Sequence, residues 1–161
     1  MREYELMARE FPDYDQTYLP PIPTGWVDQS WHNDVCPHFE LLPGDGAFGW
    51  LNVWVDYHDP EMREVGQSPR YGVSYYPPDW ATLTDIEFVV DGSDDWEEVV
   101  AKAETKRAEV LAQHPDQQAK IDAVNARACP TCHQDPGVPC KTRKGDWHNP
   151  HYYVHTARLR G

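Results

Sequence analysis

The stretch Phe48-Gly49-Trp50-Leu51-Asn52-Val53-Trp54-Val55-Asp56-Tyr57 decides the fold. Successive side chains of a strand point to opposite faces. Read as one strand, it sets Leu51, Val53, Val55 and Tyr57 on one face and Phe48, Trp50, Asn52, Trp54 and Asp56 on the other. The first face can seal a core. The second mixes rings with polar groups and calls for a cover or a partner, and exposed tryptophan clusters mark interaction sites. Trp50 and Trp54 are therefore the candidate partner-binding residues, and the N-terminal arm is the candidate cover.

Three more strands are expected around it. His38–Leu42 runs into Pro43-Gly44-Asp45-Gly46, a strong turn signal. Arg70–Tyr76 groups Tyr71, Val73 and Tyr75, and Ile86–Val90 alternates Ile86, Phe88 and Val90. Their connections are polar and contain Gly or Pro, as in antiparallel hairpins and meanders.

Upstream, residues 1–35 are rich in Pro, Asp and aromatics. Pro20, Pro21 and Pro23 remove backbone donors and bias their neighbours to extended geometry. That region reads as an extended arm whose Leu19, Ile22 and Trp26 must pack on the body. Downstream, Asp91-Gly92-Ser93-Asp94 breaks the strand pattern, and Asp94 with Glu97 resembles a capping box. Trp96, Val99, Val100, Ala103, Val110 and Leu111 then recur at helical spacing. The paired carboxylates Asp94-Asp95 and Glu97-Glu98 suit a helix N-terminus. His114-Pro115 ends that helix, and Ile121 and Val124 suggest a second one over roughly 115–127.

The expected class is α+β: a small antiparallel sheet with a helix on one face, followed by a small C-terminal module. The expected division is an arm over 1–35, a body over 36–113, a connecting helix or linker over 114–128 and a module over 129–161.

The 161 residues carry a net charge of −13, unevenly spread. Residues 1–126 hold 8 Lys/Arg against 25 Asp/Glu, a net of −17, while residues 127–161 hold 6 Lys/Arg against 2 Asp, a net of +4. The body repels nucleic acid and the tail attracts it. No run of apolar residues is long enough for a membrane span. The start at Met1-Arg2-Glu3 lacks the charged-then-apolar pattern of a secretory signal, which sets the expectation of a cytoplasmic protein. In that compartment a Cys-x-x-Cys pair reads as metal-binding rather than disulfide-bonded.

Cys129-Pro130-Thr131-Cys132 aims two thiolates at one ion, and Cys140 follows inside Pro136-Gly137-Val138-Pro139-Cys140. A structural zinc is nearly always tetrahedral, so a fourth ligand is required. His148, His151 and His155 are all placed to supply it, and spacing does not choose between them. Three thiolates and one imidazole close the shell, which favours structural over catalytic zinc. A segment of this size with few large aliphatics depends on the metal to fold.

Cys129-Pro130-Thr131-Cys132, Pro136-Gly137, Pro139-Cys140, Gly145 and His155-Thr156-Ala157-Arg158 resemble the short zinc-finger domains of actinobacterial and actinobacteriophage proteins, described as phage zinc-binding or DNA-binding domains. The resemblance implies Cys129, Cys132, Cys140 and His155 as the ligands of a structural zinc ion. It departs from the pattern in the His- and aromatic-rich stretch 146–153, where His151 competes with His155. Residues 1–126 resemble no family.

Lys141, Arg143 and Lys144 follow Cys140, Arg158 and Arg160 follow the histidines, and Trp147, Tyr152 and Tyr153 lie between. Positive charge with interleaved aromatics grips phosphates and stacks bases. The competing reading is a solvated basic tail that docks on the acidic body. A second constellation, His32, Asp34, Cys36 and His38, shares one face if the chain is extended there. It would be a metal or catalytic site. No Gly-rich phosphate loop, GxSxG or HExxH occurs.

The function these features support is that of a non-enzymatic phage or prophage accessory protein. It carries a structural zinc finger and acts on a nucleic acid, DNA or RNA, or on a host protein or nucleoprotein. The alternative is an acidic nucleic-acid mimic that blocks a host DNA- or RNA-binding protein, with zinc purely structural.

Overall fold

The computed structural model describes residues 4–42, 48–116 and Ala119. Five strands form one antiparallel sheet in sequence order: β1 (Val27–Asp28), β2 (His38–Glu40), β3 (Trp50–Val55), β4 (Tyr71–Tyr76) and β5 (Glu87–Ser93). A short helix α1 (Glu5–Glu10) precedes the sheet and α2 (Trp96–Gln113) follows it. The class is α+β, with one strand more than the pattern of the chain predicts.

The central strand behaves as its alternation demands. Leu51, Val53 and Val55 are fully buried, while Trp50, Asn52 and Trp54 are half-buried on the other face. In β4, Tyr71, Val73 and Tyr75 lie opposite Val55, Val53 and Leu51 and extend the core face. Each fully buried Val or Leu there contributes roughly 1.5–3 kcal/mol.

Phe48 departs from the strand reading. It is buried in the core with Leu51 and Val53, not set beside Trp50. The strand starts only at Trp50, and Gly49 has a φ of 75° that breaks the alternation. Only Gly adopts such a φ freely. The Tyr75 hydroxyl donates to the Phe48 carbonyl at 3.1 Å and holds the turn down.

β5 also departs from strict alternation. The β4–β5 register shifts between Tyr71 and Ser74, a bulge that leaves Val90 opposite Val73 and Phe88 opposite Ser74. Val90 is buried and Phe88 is 61 % exposed, so they do not share a face as Ile86–Val90 alternation predicts. Asp91-Gly92-Ser93, expected to leave the strand, continues β5 instead. The helix cap falls one residue later than expected: Asp95 is the N-cap and accepts from the Glu98 amide at 3.1 Å.

α2 buries Val99, Ala103 and Val110 against the sheet. The N-terminal segment shares this face and does not cover the Trp50/Trp54 face. Met7, Phe11, Tyr14 and Trp26 join the same core cluster as Leu51 and Val55, with Leu19 and Ile22 packed against it. The physical reason is amphipathicity: the arm's apolar residues fill the rim that one helix leaves open over a five-stranded sheet. The proline-rich stretch 18–26 is non-helical past Tyr18, as its prolines require, but the region 1–35 also contains α1, a 3-10 turn at Gln16–Tyr18 and β1. Residues 117–127 of the second expected helix lie, save Ala119, outside the described residues.

Candidate functional site

The arm, β4 and α2 meet at Trp96. Its ring lies 5.7 Å from Trp26 and 5.0 Å from Tyr71, and its Nε1–H donates to the Pro21 carbonyl at 3.1 Å. Two turns along α2, Glu104 accepts from Trp26 Nε1 at 2.6 Å. The first half of α2 is thus fixed to residues far away in sequence, by aromatic packing and by charge-assisted hydrogen bonding.

The outer face of the sheet forms a second cluster. His38 and Glu40 of β2 stand opposite Trp54 and Asn52 of β3, which stand opposite Gly72 and Ser74 of β4. Trp54 Nε1 donates to Ser74 Oγ at 3.3 Å, and the His38 ring lies 4.7 Å from Trp54. Burial pushes the imidazole of His38 down to about 4, so it is neutral at pH 7. Its Nδ1 is 3.1 Å from Asp34 Oδ2, without hydrogen-bond geometry. Burial also raises the carboxyl of Asp34. Both shifts run against a formed ion pair; the two groups are neighbours rather than a salt bridge.

The constellation His32, Asp34, Cys36 and His38 does not converge. His32 Nδ1 lies 2.7 Å from Glu10 Oε2 of α1, with its side chain largely in water. Cys36 is a free, buried cysteine whose thiol is pushed up chiefly by burial and further by Asp56 and Asp34. A thiol held protonated is a poor nucleophile and a poor metal ligand. Among the described residues no group of three or more His, Cys, Asp or Glu is placed to hold a metal ion. The turn at Trp31–Asp34, closed by the Asp34 amide to the Trp31 carbonyl at 2.9 Å, breaks the extended geometry that convergence needs.

Cys129, Cys132, Cys140 and His155, with Lys141, Arg143, Lys144, Arg158 and Arg160, lie outside the described residues. The donor set fits zinc by its chemistry: three soft thiolates and one imidazole are the ligands of closed structural sites.

Residues 96–161 match the family model described as "Putative DNA-binding phage zinc finger domain". No curated protein and no solved structure matches the chain. The zinc-finger match contains the cysteine motif that carries the resemblance, and it begins 33 residues before Cys129, at the first residue of α2. That description names a phage zinc-finger domain and no enzyme class. Its segment therefore includes a helix whose apolar side is part of the sheet's core. No helix among the described residues is long and apolar enough to cross a membrane.

Sequence patterning missed the Trp26–Trp96–Tyr71 assembly and the polar row Glu40–Asn52–Ser74. The first joins residues 70 apart in sequence. The second is visible only once the register of three strands is known.

Proposed function

We propose that this chain is a non-enzymatic phage or prophage accessory protein of the bacterial cytoplasm. Its zinc finger binds a nucleic acid or the nucleic-acid part of a nucleoprotein. Cys129, Cys132, Cys140 and His155 hold a structural zinc ion, which supplies folding free energy and takes no part in a reaction. Lys141, Arg143, Lys144, Arg158 and Arg160 contact phosphates, with no step beyond binding. The match of residues 96–161 to a DNA-binding phage zinc finger family carries this reading. The charge map supports it: residues 127–161, which hold Cys129, Cys132 and Cys140, are net positive while residues 1–126 are net negative.

The test is fluorescence anisotropy with labelled duplex and single-stranded oligonucleotides between about 50 and 200 mM salt, where each phosphate contact contributes a slope near −0.9 on a log–log plot for duplex DNA. Changing Lys141, Arg143 and Lys144 together to Ala should lower that slope by about three and abolish binding at the higher salt. Oligonucleotide affinity indifferent to salt and to the triple change would remove the basic segment from the account. Loss of all direct binding, with capture of a host DNA-binding protein, would favour the acidic-mimic alternative.

A further inference from the structure

The two loops at one end of the sheet have no place in the zinc-finger reading. Antiparallel order sets the β1–β2 connection, residues 29–37, at the same end as the β3–β4 connection, residues 56–70. The Val55 amide donates to the Pro37 carbonyl at 2.9 Å, and Cys36 lies within electrostatic reach of Asp56 and Glu64. Tyr18 joins this end by stacking on His58, with ring centroids 4.2 Å apart. Of the eight large apolar residues exposed among the described residues, five are here: Tyr18, Trp31, Val35, Met62 and Val65. Trp31 is 52 % exposed and Val65 is 70 % exposed, whereas Trp50 and Trp54 are half-buried. Single exposed apolar residues are ordinary, but several gathered on neighbouring loops mark an interaction site.

The second loop is held in shape from within. Arg63 donates to the carbonyls of Tyr57 at 2.8 Å, of His58 at 3.1 Å and of Ser68. Arg70 donates to those of Asp56 at 3.1 Å and Tyr18 at 2.6 Å. Met62 and Val65 are thus presented on an ordered backbone, so less conformational entropy is lost when a partner covers them. Both arginines are half-buried in this role, while Asp59, Glu61 and Glu64 are exposed. Over the two loops five carboxylates stand against two arginines. The outward field is negative. It repels phosphates, anionic lipid and the same end of a second copy, and it favours a cationic partner.

We infer that this end of the sheet docks a basic surface of a partner protein. Trp31, Met62 and Val65 seat in an apolar hollow of that surface, and Asp59, Glu61 and Glu64 meet the lysines and arginines around it. A buried ring supplies affinity and the charges at the rim supply orientation and on-rate. This holds whether or not the zinc finger binds nucleic acid.

The experiment titrates the full-length protein with three synthetic peptides, one of leucine and lysine, one of lysine alone and one of leucine and glutamate. Calorimetry reads the affinity, and NMR spectra read the tryptophan indoles and the amides of residues 29–37 and 56–70. The leucine–lysine peptide should bind, and more weakly as salt rises. The lysine peptide should bind at least tenfold more weakly, because nothing apolar covers Trp31 and Val65, and the leucine–glutamate peptide not at all. The Trp31 indole and the amides of the two loops should shift while the indoles of Trp26 and Trp96 stay. Trp31→Ala should weaken binding at least tenfold, and Leu83→Ser, at the opposite end of the sheet, should leave it unchanged. Neither variant should alter oligonucleotide binding, which separates this proposal from the zinc-finger reading. Should Trp31→Ala not fold, Val65→Ser and the shifts in the unaltered protein decide. The proposal is overturned by absence of leucine–lysine binding, by equal affinity for the lysine peptide, by shifts confined to other segments, or by Trp31→Ala binding as tightly as the parent. Self-association that Trp31→Ala abolishes would assign this end to a second copy. Loop shifts in the peptide-free protein on changing Lys141, Arg143 and Lys144 to Ala would assign it to the chain's own basic segment. Either result overturns the partner.

Discussion

Trp26 and Trp96 meet edge to face, with centroids 5.7 Å apart and planes at 68°. One sits at the end of the proline-rich arm, the other at the first residue of the zinc-finger match. Their contact joins the segment that resembles no family to the segment that does. The second link between them, Trp26 Nε1–H to Glu104 Oε1 at 2.6 Å, ties the arm to a carboxylate whose other oxygen lies 3.4 Å from Arg107.

Trp26→Ala should therefore destabilise the whole body. The residue is buried, and truncating a buried Trp costs about 3–5 kcal/mol. Trp26→Phe keeps most of the packing but loses the indole donor, and should cost about 1–2 kcal/mol. Urea unfolding followed by far-UV circular dichroism measures both. A Trp26→Phe midpoint equal to the parent's would show that the hydrogen bond to Glu104 contributes little.

Residues 96–161 expressed alone should bind one zinc per chain yet lose most of the helicity of α2. Val99, Ala103 and Val110 are buried only because the sheet and arm cover them, and an isolated helix of this length is marginal in water. Elemental analysis reads the metal, and circular dichroism at the helix minima reads the loss. A fully helical fragment would show that α2 does not need the sheet; a fragment without stoichiometric metal would remove the zinc assignment.

Stability should fall as the pH is lowered from about 6.5 towards 4, with His38 as the main cause. Its folded value of about 4 lies below the ordinary histidine value, so in that window the unfolded chain binds a proton that the folded chain does not. The contribution is present above the unfolded value and is lost as pH falls, with a slope of at most about 1.4 kcal/mol per pH unit. The raised carboxyl of Asp34 acts in the opposite sense at the acid end, because its folded form holds a proton longer. Urea melts at closely spaced pH values should show the slope, and His38→Phe should flatten it. An unchanged slope in that variant would assign the dependence to the other buried titratable groups.

Gly49→Ala should be among the most damaging single-methyl changes in the molecule. The backbone there has φ of 75°, and an added Cβ would stand 2.0 Å from the Tyr76 carbonyl oxygen. Strain of this kind costs about 1–3 kcal/mol before the clash is counted. Trp50 pairs with Tyr76 beside it, so the variant should also loosen the outer face. Thermal melts and the Trp50 indole signal check the two effects together.

By itself the chain settles three things. The alternation in Phe48–Tyr57, with Gly/Pro-punctuated strands on either side, gives a sheet with one aliphatic face. The stripe from Trp96 to Leu111 gives the helix that covers it. Cys129, Cys132 and Cys140 set the expectation of a metal motif, and they lie within residues 96–161, the segment similar to the phage zinc-finger family model. These are local signals, carried by periodicity or by a few residues close in sequence. Tertiary structure decided the rest. Whether the arm lies with α2 or over Trp50 and Trp54 depends on which apolar surface the helix leaves bare, and only packing sets that. The separation of His32, Asp34, Cys36 and His38 depends on a turn at Trp31–Asp34 and on Glu10 reaching His32 across the fold. Phe48 enters the core because one glycine takes a positive φ against the Tyr76 carbonyl, a choice that no pattern of polar and apolar residues records.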